Sequence, residues 1–299
     1  MNCGDAYDFF VHWIFQTHVH FSFWFFNSCT PLCVALYTKN YEIAKLLIEA
    51  GADIEAPNDI GKTLLSRVIM KHDFEATKLL VEKGANVNGN GERETPLMNA
   101  TRFNYVDIVA YLIEKGADPS PALLFVSSIE ALNLLLKDKR CNINYQAPNN
   151  GMSALHRAAF YNYLDIMKAL LTHPDQKINI DAQDADGTTA LLRCGQDLFC
   201  LNGNYDSIKL LISHGANIYI KNARGRSILH NAVQYGDLGL CKLLVEQYHM
   251  EPTSQYHTQP DGDTLLISAV SKGDIEISKW LVKNSFQTQQ HIECKNEMT

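Results

Sequence analysis

Histidine and cysteine side chains near the N-terminus are the first residues whose types could support chemistry. His12, His18 and His20 lie close together in the sequence, and Cys29 and Cys33 are four residues apart. Imidazole and thiolate groups are the usual ligands of a structural zinc ion, and four of them are needed. The four-residue spacing suits one face of a helix, but no second ligand pair follows at a similar spacing. We therefore expect no metal site here.

A short stretch, Gly61-Lys62-Thr63, resembles the end of a phosphate-binding loop. Such a loop also needs a glycine five residues before Gly61, where this sequence has Ala56. A polar turn rather than a strand precedes the stretch. The pattern therefore predicts a turn followed by a helix cap, and no nucleotide or other cofactor.

Two histidines and two cysteines in the second half of the chain could act in acid-base or thiol chemistry. His156 and His230 would be candidate general bases, but no nucleophile or orienting acid accompanies either of them in the sequence. We expect both histidines to be structural. Cys194 and Cys200 lie near an irregular stretch, which leaves an enzyme built on that stretch as a third interpretation.

Composition limits the class of protein. The chain has 299 residues, 46% of them apolar and 20% charged, and a net charge of -7. That balance argues against a nucleic-acid binder, which would need a basic face. The eight cysteines form no CxxC pair, which is typical of small buried apolar residues in a reducing compartment. We predict a cytoplasmic protein, or one delivered into a host cytoplasm, with no small-molecule substrate.

The N-terminal residues are unusually aromatic. Residues 9–26 read FFVHWIFQTHVHFSFWFF, and the first lysine comes only at Lys39. A secretory signal would carry positive charge before its apolar stretch, and polar residues such as Gln16 are costly inside a membrane. We predict that residues 1–26 form an N-terminal cap or partial repeat. An apolar partner-binding patch and a membrane segment are the second and third alternatives.

The chain repeats itself, which is the main organisational signal. Similar stretches open at Thr30, Thr63, Thr95, Ser153, Thr189, Ser227 and Thr264. The interval after Thr95 is long enough to hold a further, shortened unit that begins at Ser120. The sequence therefore predicts eight units, most of them close to a period of about 33 residues.

Each position within a unit has a physical role. The opening Thr or Ser suits a helix N-cap, and Pro31 and Pro96 stand where a helix does not need an N–H donor. Leucine and small residues then predict a short first helix, and apolar residues at helical spacing predict a second one. The second helix is predicted to end, in four units, at a glycine that adopts the left-handed conformation: Gly51, Gly84, Gly116 and Gly215.

Two of these stretches carry a family resemblance. GMSALHRAAFYNYLDIMKALL, from Gly151, and GRSILHNAVQYGDLGLCKLLV, from Gly225, resemble the ankyrin pattern G-x-T-P-L-H-x-A-A. The resemblance extends over residues 27–284 and leaves 285–299 as a tail or the start of another unit of a longer protein. It implies an all-α solenoid of stacked helix-turn-helix units with projecting β-hairpin fingers, and structural roles for His156 and His230.

Two units depart from the pattern. The fourth unit lacks most of a finger, because Pro119 and Pro121 lead almost directly into its first helix. The sixth unit carries about six extra residues near GQDLFCLNGNYD, between its two helices. Such departures could alter the stacking or contribute to recognition of one particular partner.

Residues that stacking does not require are the candidate binding residues. They follow the small-residue pair of each first helix or lie in the fingers, and aromatic residues and arginine dominate interaction hot spots. The set comprises Ile60, Lys62, Met70, Lys71, Arg102, Phe103, Phe160, Tyr161, Arg224, Arg226, Gln234 and Tyr235. We predict a site centred on units three, five and seven, for a partner with acidic and apolar groups.

The resemblance implies the function, since ankyrin proteins generally hold other proteins on their concave face. We predict a non-enzymatic scaffold that binds a partner protein through its fingers and first helices. The alternative is that the chain is the recognition part of a larger multidomain enzyme or of a secreted effector.

Overall fold

The computed structural model describes residues 30–57, 61–90, 94–194, 205–251 and 264–284. The chain divides into two compact bodies, Met1–Arg93 and Glu94–Thr299. We call them the N-terminal and C-terminal bodies. The predicted N-terminal cap (1–26) and C-terminal tail (285–299) lie outside the described residues, and both remain predictions.

The N-terminal body contains the first two repeat units, each a pair of short helices. These helices are α1 (Pro31–Tyr37), α2 (Tyr41–Glu49), α3 (Leu64–Met70) and α4 (Phe74–Glu82). The first helices α1 and α3 contact each other, as do the second helices α2 and α4. Leu32, Leu36, Leu65 and Leu80 are completely buried by this packing.

The C-terminal body contains, within the described residues, six more units that are built in the same way. Its first three units are formed by α5 (Pro96–Arg102), α6 (Val106–Glu114), a 3₁₀ helix (Pro121–Phe125), α7 (Ile129–Lys137), α8 (Ala154–Phe160) and α9 (Leu164–Leu171). The next three are formed by α10 (Ala190–Cys194), α11 (Asp206–Ser213), α12 (Ile228–Tyr235), α13 (Leu238–Lys242, continued by a π turn over Leu243–Gln247), α14 (Leu265–Ser271) and α15 (275–284). Within the described residues the helices fall into eight pairs, one for each predicted unit.

The predicted hydroxyl caps determine where the first helices begin. The Thr30 side chain accepts a hydrogen bond from the Cys33 N–H at 3.3 Å, and Thr63 accepts one from Ser66 at 3.3 Å. Thr30 and Thr63 both have extended backbones, as N-cap residues require. Each cap satisfies one N–H donor that the helix itself leaves without a partner.

Left-handed residues end both helices of a unit. Gly84 terminates α4 with φ +100°, as the sequence predicted, because a glycine pays no side-chain penalty in this region. Non-glycine residues such as Lys39 (φ +58°) and His72 (φ +53°) play the same part after the first helices. The short polar turns predicted there therefore require a backbone conformation that most residues avoid.

The fourth unit differs from the others in its first helix. Ser120 is itself helical (φ -60°, ψ -48°) and makes no side-chain cap, and the following residues form a 3₁₀ helix instead of an α-helix. Pro119 and Pro121 remove two backbone donors from this stretch, which favours the shorter turn. The Ser120 hydroxyl instead accepts a hydrogen bond from the Asn142 N–H at 3.1 Å.

The fingers are held by side-chain turns rather than by long strands. Among the described residues, β-pairing is limited to one isolated bridge between Gln146 and Ser153. The Asp184 carboxylate accepts bonds from the Asp186 and Thr188 N–H groups, both at 2.9 Å, and so closes its own finger. Backbone hydrogen bonds also join adjacent fingers. The Ala223 N–H, for example, donates to the Asp186 carbonyl at 2.8 Å.

Packing joins only neighbouring units. Each pair of elements with extensive contact within the described residues belongs to one unit or to two consecutive units. In the C-terminal body, for example, α8 packs against the 3₁₀ helix on one side and α10 on the other. Within each body the apolar core therefore lies as a layer between successive helix pairs, and the all-α, repeat-built fold is confirmed.

Candidate functional site

The C-terminal ends of the first helices carry exposed large side chains at two adjacent positions, one occupied by Tyr37 and Met70 and the next by Phe103, Tyr161 and Tyr235. Five units place a large side chain there with nearly equal exposure: Tyr37 38%, Met70 37%, Phe103 43%, Tyr161 44% and Tyr235 40%. The short helix before each of them is buried on its other face. The cap and the left-handed turn fix where that helix ends, so exposed side chains recur at the helix end in these five units.

In the C-terminal body, units three, four and five form one groove at this level. It has a volume of about 380 Å³ and is lined by Arg102, Phe125, Val126, Ser127, Arg157, Tyr161 and Tyr163. These residues come from the ends of α5 and of the 3₁₀ helix, and from α8 and the turn after it. The shortened fourth unit thus contributes Phe125 to the groove.

Two arginines converge on the Phe125 ring. The guanidinium carbon of Arg102 lies 4.3 Å from the ring centroid, and that of Arg157 lies 4.8 Å from it. Arg157 is also 5.6 Å from the centroid of Tyr161. A cation over an aromatic ring is attracted by the negative face of the ring, so these contacts orient both guanidinium groups.

Aromatic contacts order the rest of this surface. Tyr161 stacks on Tyr163 with the ring centroids 5.6 Å apart, and Phe160 meets Tyr161 edge-on at 5.1 Å. In unit three, Phe103 stacks on Tyr105 at 5.7 Å. The predicted residues Phe103, Phe160 and Tyr161 are therefore held by neighbouring rings rather than scattered.

The predicted residues of the N-terminal body make their own contacts. The Lys62 ammonium group lies 3.4 Å from the Met70 sulfur, and the Lys71 ammonium group lies 5.8 Å from the Tyr37 ring centroid. Arg67, which the sequence analysis did not select, lies 5.0 Å from the same ring. Ile60 lies outside the described residues.

The predicted residues of unit seven are not part of the groove. The Arg226 guanidinium donates a hydrogen bond to the Gln234 side chain, and the Tyr235 ring lies 5.8 Å from the Lys272 ammonium group. Arg224 is exposed in the finger. The expected centre on units three, five and seven thus corresponds to one groove in units three to five and a separate group in unit seven.

Sequence reasoning did not identify Phe125, Arg157 or Tyr163. Phe125 falls in the unit whose pattern is most degraded, so its alignment with the other first helices is not visible in the sequence. Arg157 is the fourth residue of its helix, as Arg67 is in α3. That recurring basic residue was the signal that could have pointed to it.

The candidate catalytic residues have structural environments. His156 is buried, its Nδ1 accepts a bond from the Ser153 N–H at 3.2 Å, and its Nε2 lies 2.9 Å from the Thr188 carbonyl. The hydrogen is therefore on Nε2, and both ring nitrogens are used. Burial lowers the pKa of His156 below its ordinary value of 6.5, opposed by the hydrogen bond to Thr188 and the nearby Asp184 charge.

Thiol and metal chemistry have little support in the described residues. Cys33 and Cys194 are buried, and burial raises the pKa of Cys141 to about 12, which disfavours the reactive thiolate. Cys29, Cys200 and the N-terminal histidines lie outside the described residues. Within the part of the chain that the structure describes, no group of three potential His, Cys, Asp or Glu ligands comes together.

The phosphate-loop-like stretch serves as the predicted turn and cap. Gly61 has φ +72°, and the Thr63 hydroxyl caps α3. Among the helices of the described ranges, none is both long enough and apolar enough to span a bilayer, and the aromatic residues 9–26 lie outside those ranges.

Known proteins share the repeat pattern along most of this chain. A family model described as ankyrin repeats (3 copies) matches residues 32–122, 122–198 and 197–293. A fowlpox virus protein named as an ankyrin repeat protein is 35% identical over 132 residues, which are 40% of this chain and 37% of that protein.

Two other relatives are much larger proteins. The palmitoyltransferase AKR1 of Lachancea kluyveri is 30% identical over 152 residues, which are 51% of this chain and 17% of the relative. The human transient receptor potential cation channel subfamily A member 1 is 26% identical over 252 residues, 78% of this chain and 22% of the channel. This chain therefore spans well under half the length of these three relatives. The family match, the repeated helix pairs and the buried L-H histidines agree: the chain belongs to the ankyrin repeat family.

Proposed function

We propose that the chain is a non-enzymatic module that binds a partner protein through its finger and first-helix face, with the groove of units three to five as the main contact. The observation that carries the proposal is the groove itself, where two arginines and two tyrosines line about 380 Å³. Arginine and tyrosine are enriched among residues that dominate binding energy. These side chains line an open groove and do not belong to the buried layer between the helix pairs.

Rigid presentation is the proposed mechanism. The groove residues sit on helices whose other faces are buried, and their rings contact one another before any partner arrives. Little side-chain freedom is then lost on association, so that modest contacts can give useful affinity. Ankyrin repeats in general act in protein-protein interaction, which supports this role.

A non-enzymatic role fits the environments of the candidate catalytic groups. Both ring nitrogens of His156 are engaged by Ser153 and Thr188, and Cys194 is completely buried. We propose cytoplasm as the compartment, or a host cytoplasm after delivery, since buried thiols such as Cys141 and Cys241 suit a reducing environment. The proposed partner is a protein and not a nucleic acid, given the net charge of -7.

A second candidate is that the chain is the recognition part of a larger enzyme or effector. The relatives favour this possibility, because a palmitoyltransferase and a cation channel both contain a similar stretch as a minor part of their length. Measuring the mass of the natural protein by intact mass spectrometry would decide between the two. A mass well above 33.6 kDa supports the larger protein.

Selection from a phage-displayed library of random peptides tests binding by this face. We expect peptides that bind the chain and that bind a Phe103→Ala/Tyr161→Ala/Tyr235→Ala variant at least about tenfold more weakly. Tyr219→Ala is the matched control, since Tyr219 is also exposed (52%) but lies in a finger away from the groove lining. Equal binding of the triple variant would place the contact elsewhere.

A further inference from the structure

Three arginines occupy the same position in three repeat units. Arg67, Arg157 and Arg193 are each the fourth residue of a first helix, in α3, α8 and α10 respectively. Because the helices begin at equivalent caps, the three side chains leave their helices in equivalent directions. The difference between them lies in what each guanidinium contacts.

Two of the three have acceptors within the chain. The Arg67 guanidinium donates to the Tyr37 hydroxyl at 3.1 Å. Arg193 forms an ion pair with Asp184, whose carboxylate is buried and also closes a finger. Both arginines therefore stabilise the fold, because their guanidinium groups already donate to acceptors within the chain before any partner binds.

Among the described residues, Arg157 contacts aromatic rings and forms no ion pair. Its guanidinium lies 4.8 Å from the Phe125 centroid and 5.6 Å from the Tyr161 centroid. Within the described ranges it makes no ion pair, unlike Arg102, which pairs with Glu94. A guanidinium held by its face against aromatic rings keeps its edge N–H groups available, and these match the two oxygens of a carboxylate.

The surrounding groove carries a local positive charge in an acidic protein. Its lining includes Arg102 and Arg157 and contains no Asp or Glu, although the whole chain has a net charge of -7. Glu94 compensates Arg102, so the excess charge resides on Arg157. The exposed faces of Tyr161 and Tyr163 lie beside it and offer apolar contact to whatever brings the anion.

We propose that Arg157 binds the carboxylate of an Asp or Glu side chain in the partner, with an apolar or aromatic neighbour of that residue against Tyr161 and Tyr163. The proposal rests on the proposed function of the groove and specifies the chemistry of its ligand. A volume of about 380 Å³ accommodates one or two side chains of an extended peptide. A single arginine that makes no ion pair with the described residues suits one carboxylate, whereas nucleic acid would call for a row of basic groups.

Two pools of fluorescent peptides, randomised on both sides of a fixed Glu or a fixed Gln, test the proposal. We expect the natural chain to bind the Glu pool about tenfold more tightly, the difference that a charge-assisted hydrogen bond supplies. Arg157→Gln should remove the preference. Arg67→Gln, at the same helix position in the N-terminal body, should retain it.

A charge-reversal variant distinguishes the loss of this contact from a general loss of structure. Arg157→Glu should shift the preference toward a third pool with a fixed Lys, a gain that misfolding does not produce. If the natural chain binds the Glu and Gln pools equally, or if Arg157→Gln keeps the preference, the role of Arg157 is wrong while the groove can still bind peptides. If no pool binds and phage selection yields no binder, the proposed function is wrong as well.

Discussion

At the scale of single residues, the hydrogen bonds of the buried histidines explain why histidine recurs at this position of the repeat. In unit five, Nδ1 of His156 accepts from the Ser153 backbone, and Nε2 donates to the Thr188 carbonyl, which is 32 residues away in the next unit. Nδ1 of His230 accepts from the Ser227 N–H at 3.2 Å in the same way. One side chain thus closes the helix cap, and in unit five it also joins neighbouring units, which only a neutral ring with one donor and one acceptor can do.

Protonation of His156 should therefore destabilise the fold. Burial lowers its pKa in the folded state below 6.5, so the unfolded chain binds more protons between the folded and unfolded pKa values. We expect the free energy of unfolding to fall as the pH decreases below about 6.5, with His156 contributing up to about 1.4 kcal/mol per pH unit. Urea unfolding of the natural chain and of His156→Gln at several pH values measures this contribution.

The pH slope of the variant is the informative quantity. His156→Gln should have a shallower slope over the acidic range, whatever its stability near neutral pH. His214 is the exposed C-cap residue of α11. His214→Gln serves as the control and should keep the natural slope. Identical slopes for all three proteins would show that His156 does not couple proton binding to folding.

At the scale of elements, each helix is too short to be stable alone and depends on its ends. First helices such as α1 and α3 have seven residues, well below the length at which isolated helices persist. A hydroxyl cap at the start and a left-handed residue at the end satisfy backbone groups that a short helix leaves without partners. The ends therefore contribute a large share of what makes each element form.

Gly84→Ala isolates the backbone contribution of one such end. Gly84 has φ +100°, and a methyl group placed there would meet no atom within 4 Å. The cost is then conformational only, and we expect about 1–2 kcal/mol of destabilisation. Thermal or urea unfolding measures it. Lys78→Ala, an exposed substitution within the same α4, should change the free energy of unfolding by less than about 0.5 kcal/mol.

A substitution in the opposite direction, from a left-handed lysine to glycine, should change the free energy of unfolding with the opposite sign. Lys39 holds a left-handed conformation (φ +58°) that strains a residue with a side chain, so Lys39→Gly removes strain at the end of α1. The greater freedom of glycine in the unfolded chain offsets part of the gain. A destabilisation at Lys39→Gly as large as that at Gly84→Ala would contradict the assignment of these positions to backbone strain.

At the scale of the whole molecule, stability depends on the contacts within each unit and between consecutive units. Extensive contacts among the described residues join only elements of one unit or of consecutive units. In such a protein a local defect weakens its own unit and the adjoining interfaces, and distant units are affected little.

Leu155→Ala should show this locality. Leu155 is 1% exposed in α8, and its truncation leaves a cavity that costs about 3 kcal/mol. We expect hydrogen-exchange mass spectrometry to show faster exchange in the 3₁₀ helix, α8 and α10, with α14 unchanged. Leu46→Ala, at a 65% exposed leucine of α2, is the control. Uniformly faster exchange throughout the chain would indicate one cooperative core instead.

The sequence alone determined the repeat, its eight units, the hydroxyl caps and the left-handed glycines. These features depend on residues that lie a few positions apart, so they can be predicted from the amino-acid sequence. The exposed positions at Phe103, Tyr161 and Tyr235 follow from the same local register. Only the tertiary structure decided that Phe125 of the degraded fourth unit lies against Arg102 and Arg157, because that contact depends on how three successive units stack. It also decided what each of three equivalent arginines contacts: Arg193 pairs with a carboxylate of its finger and Arg67 donates to a tyrosine hydroxyl, whereas among the described residues Arg157 contacts only rings.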